Sequence, residues 1–444
     1  MKKALVASLL TTASIILTGC NFKGFNKKDK YTIMVYMCGS DLESGYDGYS
    51  THASEAGMAT KDIFEMCYTK NQPKDVNIIV QTGGAKAWKS GKIKSNKIQR
   101  WHVWDGELVL DKELPGDNMG RAVTFQSFME WGLKEYPAEK TGVILWNHGG
   151  AMRGVCYDEN YSDDSLLVSE VRTALKNAFI NTKRTEKLEW IGYDACLMQV
   201  QDIAEANSEF FNYMIGSEES EGGDGWAYNK WLDNVYAHDD TEAILTEICD
   251  TFISYYDKAY GKEYNDQTLS WLDLSKMDEY KNAWENLSSS ITSTVNRSKK
   301  SEFQSMMKTV KNYGTTYYTG SELVEAGLST NPSSDYYYGN YGIVHEGSYY
   351  VDYGYNSFGI FDTKDFLNKL ENKYSALSSN VQAVRTAYNN LLGYSKVGAG
   401  AGESNGLCCY FPMHKRCNVE TYYNSNETRF TSWKAVTEAL GNTK

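Results

Sequence analysis

Two hydrophobic periodicities alternate along the first half of the chain. Short, nearly unbroken apolar runs rich in Val, Ile, Tyr and Trp occupy residues 31–37, 76–81, 143–146, 188–193 and 213–216. Runs of this length bounded by turn residues predict strands buried on both faces. Residues 98–104 and 107–110 flank Asp105-Gly106 and predict a hairpin. Between the strands, apolar residues recur at helical spacing over 61–67, over 119–135 (Ala122, Phe125, Phe128, Met129, Leu133), over 168–179, and over about 197–207 (Val200, Ile203, Ala204). Strands alternating with helices predict an α/β fold with a mostly parallel central sheet covered by helices on both faces.

Beyond residue 241 the pattern changes. Residues 244–260, 277–311 and 365–392 read as helices. Residues 336–361 are rich in Tyr and Gly, which suggests a surface excursion or a small β-element. A tyrosine-lined surface packed on the main domain accounts for it better than a carbohydrate site. Gly406-Leu407-Cys408-Cys409-Tyr410-Phe411-Pro412 reads as a late strand returning to the sheet.

The N-terminus carries a targeting pattern. Lys2 and Lys3 precede a mostly apolar run, 4–17, which ends Leu17-Thr18-Gly19-Cys20. The run is short for a membrane span of about 20 residues. The ending matches a bacterial lipobox, with Cys20 as the lipidated residue and 21–30 as a polar tether. That places the protein on the outer side of a cell membrane, held by lipid.

With 444 residues the chain exceeds one small core, and one large domain with additions is expected. The net charge of −12, without a basic cluster beyond the N-terminus, argues against nucleic acid as a partner. Of nine cysteines, Cys20 goes to lipid and Cys196 to chemistry, which leaves an odd number and no disulfide framework. Cys408, Cys409, His414 and Cys417 cluster, but adjacent strand residues point to opposite faces, so no metal site is assigned there.

The candidate chemistry sits just past two strands. Trp146-Asn147-His148-Gly149-Gly150 ends one, and Gly192-Tyr193-Asp194-Ala195-Cys196-Leu197-Met198 ends another. A His and a Cys beyond neighbouring strands, separated by roughly 50 residues, make the thiolate–imidazole pair of a cysteine hydrolase. Either residue alone would read as a loop histidine or a small core cysteine. Together, in small-residue turns, they favour catalysis. Cys196 is the candidate nucleophile, activated by His148 and by the start of the helix predicted after it. His148 would protonate the leaving amine, and the N–H groups of Gly149 and Cys196 are the oxyanion-hole candidates. No third catalytic side chain is named. Asp194, two residues before Cys196, and Asp224, in Gly222-Gly223-Asp224-Gly225-Trp226, would form an acidic pocket for Arg or Lys.

The chain resembles the clostripain-family cysteine peptidases of the caspase–gingipain group. The resemblance rests on Ile33-Met34-Val35-Tyr36-Met37 with Asp41-Leu42-Glu43, Asn118-Met119-Gly120, the two motifs above, Ser217-Glu218-Glu219 with Gly225-Trp226, and 406–412. It implies a caspase-like αβα sandwich, a Cys–His dyad, and cleavage after Arg or Lys, with Asp194 and Asp224 at the family's acidic pocket positions. The matching residues span about 31–275, with a weaker match near 400–415, and the chain as a whole reads as 1–20 (signal peptide), 21–30 (tether), 31–275 (catalytic), 276–395 (helical and Tyr-rich addition) and 396–444 (returning segment). The resemblance also raises calcium dependence and self-cleavage between the His and the Cys; no cofactor is otherwise required. The acidic loop 158–164 lacks the glycine and terminal Glu of an EF-hand loop. No Arg or Lys lies between 154 and 171, so Lys183-Arg184 is the accessible cut site. The expected partners are protein or peptide substrates with basic residues, and the expected state is a monomer. The alternative is a non-catalytic surface lipoprotein that binds peptides or glycans on the same fold.

Overall fold

The alternation of apolar runs and helical stretches folds into three layers. The protein is described from a computed structural model over residues 28–45, 56–69, 71–295, 297–314, 358–413, 417–424 and 427–442, with strand fragments at 316–318, 336–338 and 355–356. The central sheet has nine strands. In chain order these are β1 (Asp29–Cys38), β2 (Val76–Gly83), β3 (Lys97–Trp104), β4 (Glu107–Pro115), β5 (Ala138–Trp146), β6 (Leu188–Asp194), β7 (Phe211–Gly216), β8 (Thr268–Asp273) and β9 (Leu392–Val397). Their order across the sheet is β9-β8-β7-β6-β5-β1-β2-β3-β4. The inner five are parallel, and an antiparallel pair closes each edge.

Alternation along β1 sorts the core. Met34, Tyr36 and Cys38 face one layer, with helices α3 (Ala122–Glu135), α4 (Val168–Thr182) and α5 (Gln201–Asn207). Tyr31, Ile33, Val35 and Met37 face the other, with the short α1 (Ser40–Ser44), α2 (Met58–Cys67), α6 (Tyr228–Ala237) and α7 (Thr241–Tyr260). Side chains of period two point to opposite faces, so an uninterrupted apolar strand requires cover on both sides. The edge hairpin turns through Asp105 and Gly106, both at positive φ, as its sequence predicts.

Four elements differ from the sequence reading, two of them as breaks: 277–311 gives helices Met277–Thr294 and Lys300–Met307, and 365–392 gives Thr363–Lys373 and Ser378–Leu391. Residues 406–412 do not join the main sheet; Cys408–Tyr410 pairs with Ile360–Asp362 in a separate two-stranded sheet. The strand that does return is β9, whose half-polar pattern suits an antiparallel edge with one solvated face. The expected helix at 197–207 begins only at Gln201, because Leu197 adopts a left-handed φ of 66° and breaks the path. Most of the Tyr-rich 336–361 segment, Cys20 and His414 lie outside the described residues, among which no helix is long and apolar enough to cross a membrane.

Candidate active site

Register decides what meets at the sheet's carboxyl edge, where open α/β sheets bind ligands. Trp146 of β5 pairs with Asp194 of β6, so His148 and Cys196 each lie two residues beyond the same rung. Met37 of β1 pairs with Trp146 from the other side, which brings the turn after β1 to the same place. A cleft of about 500 Å³ opens there, lined among others by Asp41, His148, Asp194, Cys196, Glu221 and Asp224. All the side chains singled out from sequence for catalysis or the acidic pocket therefore face one cavity.

Asn147 fastens the edge. Its amide donates to the Cys38 carbonyl at 2.8 Å, and its side-chain oxygen accepts the Tyr157 N–H at 2.7 Å. Gly149 must be glycine here: a Cβ would stand 2.0 Å from the Cys196 carbonyl oxygen. The close approach serves the packing of the two motifs against each other.

The Cys196 sulfur accepts the Glu221 N–H at 3.2 Å and faces the Glu221 carbonyl at 3.7 Å. Burial, helped by the charge of Glu219, holds its pKa above the ordinary thiol value, although backbone N–H groups of Glu221, of Cys196 itself and of Gly149 act in the opposite direction. The last two N–H groups are the oxyanion-hole candidates, and both reach the sulfur's surroundings. The helix start expected to assist the thiol is displaced to Gln201 and does not abut it.

A third side chain, given no catalytic role in the sequence reading, meets the candidate histidine. Nε2 of His148 lies 2.7 Å from Oδ1 of Asp41. Partial burial opposes ionisation of Asp41, yet the hydrogen bond and charge of His148 prevail and lower its pKa to about 2. Asp41 is delivered by a tight turn at Gly39-Ser40, where Ser40 is buried at φ 51° and its hydroxyl bonds Asp41 at 2.6 Å. The signal was available: Asp41 follows a buried strand just as His148 and Cys196 do.

The two pocket acids stand in different environments. Asp194 is buried and accepts the Tyr228 hydroxyl at 2.8 Å and the Trp226 N–H at 3.3 Å. Burial raises its pKa to about 7. Asp62 of α2, held by the Trp146 indole at 2.7 Å, and Glu221, held by the Trp226 indole at 3.1 Å, adjoin it. Burial and the charge of Asp194 push both well above the ordinary carboxylate range. Gly225, at φ 63°, passes over this cluster where a Cβ would lie 2.7 Å from Asp62 and 3.4 Å from Asp194. Asp224, at the rim, is lowered instead, because the Lys61 ammonium at 2.6 Å outweighs its partial burial.

The loop 158–164 spends its acids on protein donors. Asp158 accepts the Met119 N–H at 2.8 Å and the Asn160 N–H at 2.9 Å, Glu159 the Lys86 N–H at 2.6 Å, and Asp164 the Asn118 amide at 2.6 Å. Among the described residues no group of three or more His, Cys, Asp or Glu side chains is arranged to hold a metal ion. Lys183, at φ 57°, is exposed just past α4, and Arg184 follows it half-buried.

A sequence model of the clostripain family matches residues 35–436, nearly the whole described span. The chain belongs to the clostripain family. Clostripain of Hathewaya histolytica is 24% identical over 471 residues, covering 92% of this chain and 79% of that protein. A secreted C11 cysteine protease of Bacteroides thetaiotaomicron, "iotapain", superposes with a TM-score of 0.59 at 14% identity, over 94% of this chain and 100% of that one. An inactive zymogen C11 protease of Parabacteroides distasonis does so with a TM-score of 0.58 at 15% identity, over 94% and 100%. The layered sheet is the fold of these proteases, and the clostripain-family chain is a cysteine-type peptidase acting on peptide or protein substrates.

Beside the cleft, a second clamp joins this family member's distant C-terminal residues to its site. The 217–219 turn leads from β7 to Glu221, and Glu219 O accepts the Leu197 N–H at 3.1 Å. Buried Glu218 accepts the Leu407 N–H at 3.1 Å and the Tyr313 hydroxyl at 3.2 Å, and that hydroxyl also lies 2.8 Å from Asp362. Burial and the neighbouring Asp362 raise Glu218 to about 8.

Proposed function

We propose that the protein is an endopeptidase that cleaves after Arg or Lys through Cys196 and His148, with Asp41 orienting the imidazole. The single observation that carries the reading is the cleft, in which a thiol, an imidazole and an uncompensated buried carboxylate cluster line one cavity. A cationic side chain entering beside Asp194 supplies the countercharge that the cluster lacks, and a charge-assisted contact in a desolvated pocket is a strong one. The non-catalytic alternative has no use for the Asp41–His148 contact.

In this mechanism the Cys196 sulfur attacks the scissile carbonyl carbon and its proton passes to His148. With Nε2 on Asp41, Nδ1 is the nitrogen left for that transfer. The carbonyl oxygen gains the electron pair and is received by the Gly149 and Cys196 N–H groups. Collapse expels the amine, which takes the proton from His148 and leaves a thioester. Water, deprotonated by His148, then attacks the thioester and restores the thiol.

The test is a set of fluorogenic peptides that differ only in the residue before the cut, assayed with and without calcium. Hydrolysis after Arg and Lys, and none after Ala or Glu, is expected. Cleavage indifferent to that residue would remove the pocket role of Asp194. Asp41 acts through His148, so Asp41→Ala should lower kcat about 100-fold and leave KM within about twofold; its partial exposure makes the loss smaller than at a fully buried triad acid. An unchanged kcat would deny Asp41 its orienting part.

The lipobox ending at Cys20, behind Lys2, Lys3 and the apolar run, supports a lipid-held position outside a cell membrane. Any maturation cut falls at Lys183-Arg184 in this reading, and the protein works as a monomer.

A further inference from the structure

Of the acids that line the cleft, Asp224 is paired with a lysine and Asp41 with His148, whereas Asp194 and Glu221 are held by neutral donors. Asp224 has both oxygens engaged: Oδ1 by the Lys61 ammonium at 2.6 Å, and Oδ2 by the Tyr255 hydroxyl at 2.9 Å and the Tyr260 hydroxyl at 3.4 Å. Lys61 also donates to the Tyr255 hydroxyl at 3.1 Å and lies 5.0 Å above that ring. Asp194 and Glu221, deeper in, are bonded by an amide, a phenol and an indole. The helix α2 thus supplies, from adjacent residues, the cation at the rim and the acid Asp62 at the base.

We propose that Lys61 is a specificity-determining residue, which neutralises Asp224 from within and so sets how strongly the cleft holds a basic side chain. The inference rests on the reading that the cleft accepts Arg or Lys. An ammonium or guanidinium arriving at the rim meets a carboxylate whose charge is cancelled and whose lone pairs are taken. It gains little there and is read by Asp194 and Glu221, which line the cleft, instead. The pair acts as a neutral rim: removing its cation exposes an attractive charge, and removing its anion exposes a repulsive one.

The pair can be dissected by a double-mutant cycle on the full chain, with Arg and Lys peptides. Lys61→Met keeps the apolar stem and should lower KM about tenfold, the effect of one partly screened charge. Asp224→Asn should raise KM by a similar factor, because Lys61 is then unpaired. The double variant should return to within about twofold of the wild-type KM, and Lys61→Arg should stay there. If Asp224 instead holds the substrate directly, the double variant keeps the raised KM of Asp224→Asn, and the proposal falls. An unchanged KM in Lys61→Met also sinks it, while a wild-type preference for basic residues still stands. A wild type with no such preference overturns the parent reading together with this one.

Discussion

Replacing Cys196 with alanine should abolish peptide hydrolysis, with a loss of about 10⁴-fold or more in kcat and no loss of fold. The magnitude follows from the chemistry: without the sulfur no thioester forms, and the remaining oxyanion donors and binding groups supply only a small part of the acceleration. The side chain is small, partly exposed and bonded to backbone groups rather than side chains, so its truncation opens little space. Thiol labelling checks the same assignment independently. Among the eight described cysteines, Cys38, Cys156, Cys249, Cys408, Cys409 and Cys417 are buried, and the pKa of Cys67 is raised to about 11 by burial. Cys196 is partly exposed and lines the cleft with His148; burial still holds its thiol above the ordinary value, but three backbone N–H groups oppose that rise. Alkylation at neutral pH should therefore reach Cys196 first, and mapping the modified peptide to any other cysteine would unseat it as the nucleophile.

The second large effect is expected at Asp194. Asp194→Asn keeps the side-chain shape, yet kcat/KM for Arg and Lys peptides should fall about 100- to 1,000-fold, the scale for removing one partner of a desolvated charge pair. The pH dependence gives the sign. With its pKa at about 7, Asp194 is neutral below that pH and anionic above it. KM for basic peptides should therefore fall as pH rises through about 7, and this dependence should vanish in Asp194→Asn. Stability runs the other way. The folded pKa lies above the unfolded value near 3.9, so the contribution of Asp194 to stability is complete below about pH 4 and is lost as pH rises to about 7. A bound basic peptide offsets that loss, and its effect on Tm should be larger at pH 8 than at pH 5. A KM that is flat from pH 5 to 9 would show that Asp194 does not meet the substrate's charge.

Much of this site was legible because it depends on local pattern. His148, Cys196 and Asp194 each lie at or just beyond the end of an apolar run, and parallel strands in register bring such ends together. What stayed hidden depends on strand order. Asp41 lies 107 residues from His148, and only the adjacency of β1 and β5 places them 2.7 Å apart. Lys61 and Asp62 looked like part of an ordinary surface helix; their distances to Asp224 and Trp146 come from packing α2 against the layer of α6 and α7. The misplaced start of α5 has a local cause, the left-handed Leu197, which residue propensity gives no reason to expect. The return of 392–397 to the sheet was missed because an edge strand with half-polar character lacks the apolar run that marks the inner strands.

The Glu218 clamp has a bearing on how the molecule is made. Leu407, whose N–H Glu218 accepts, leaves the ribosome 189 residues after it. Over that interval the growing chain already carries its nucleophile and its imidazole, but the clamp on the turn behind Cys196 cannot yet form. Closing so long a loop is slow in entropic terms, and the pairing of β8 with β9 adds another distant contact to the same late step. Synthesis and completion of the site's surroundings are thereby placed in sequence: a chain that has not reached Leu407 holds both reacting groups before the backbone that fixes their neighbourhood is made.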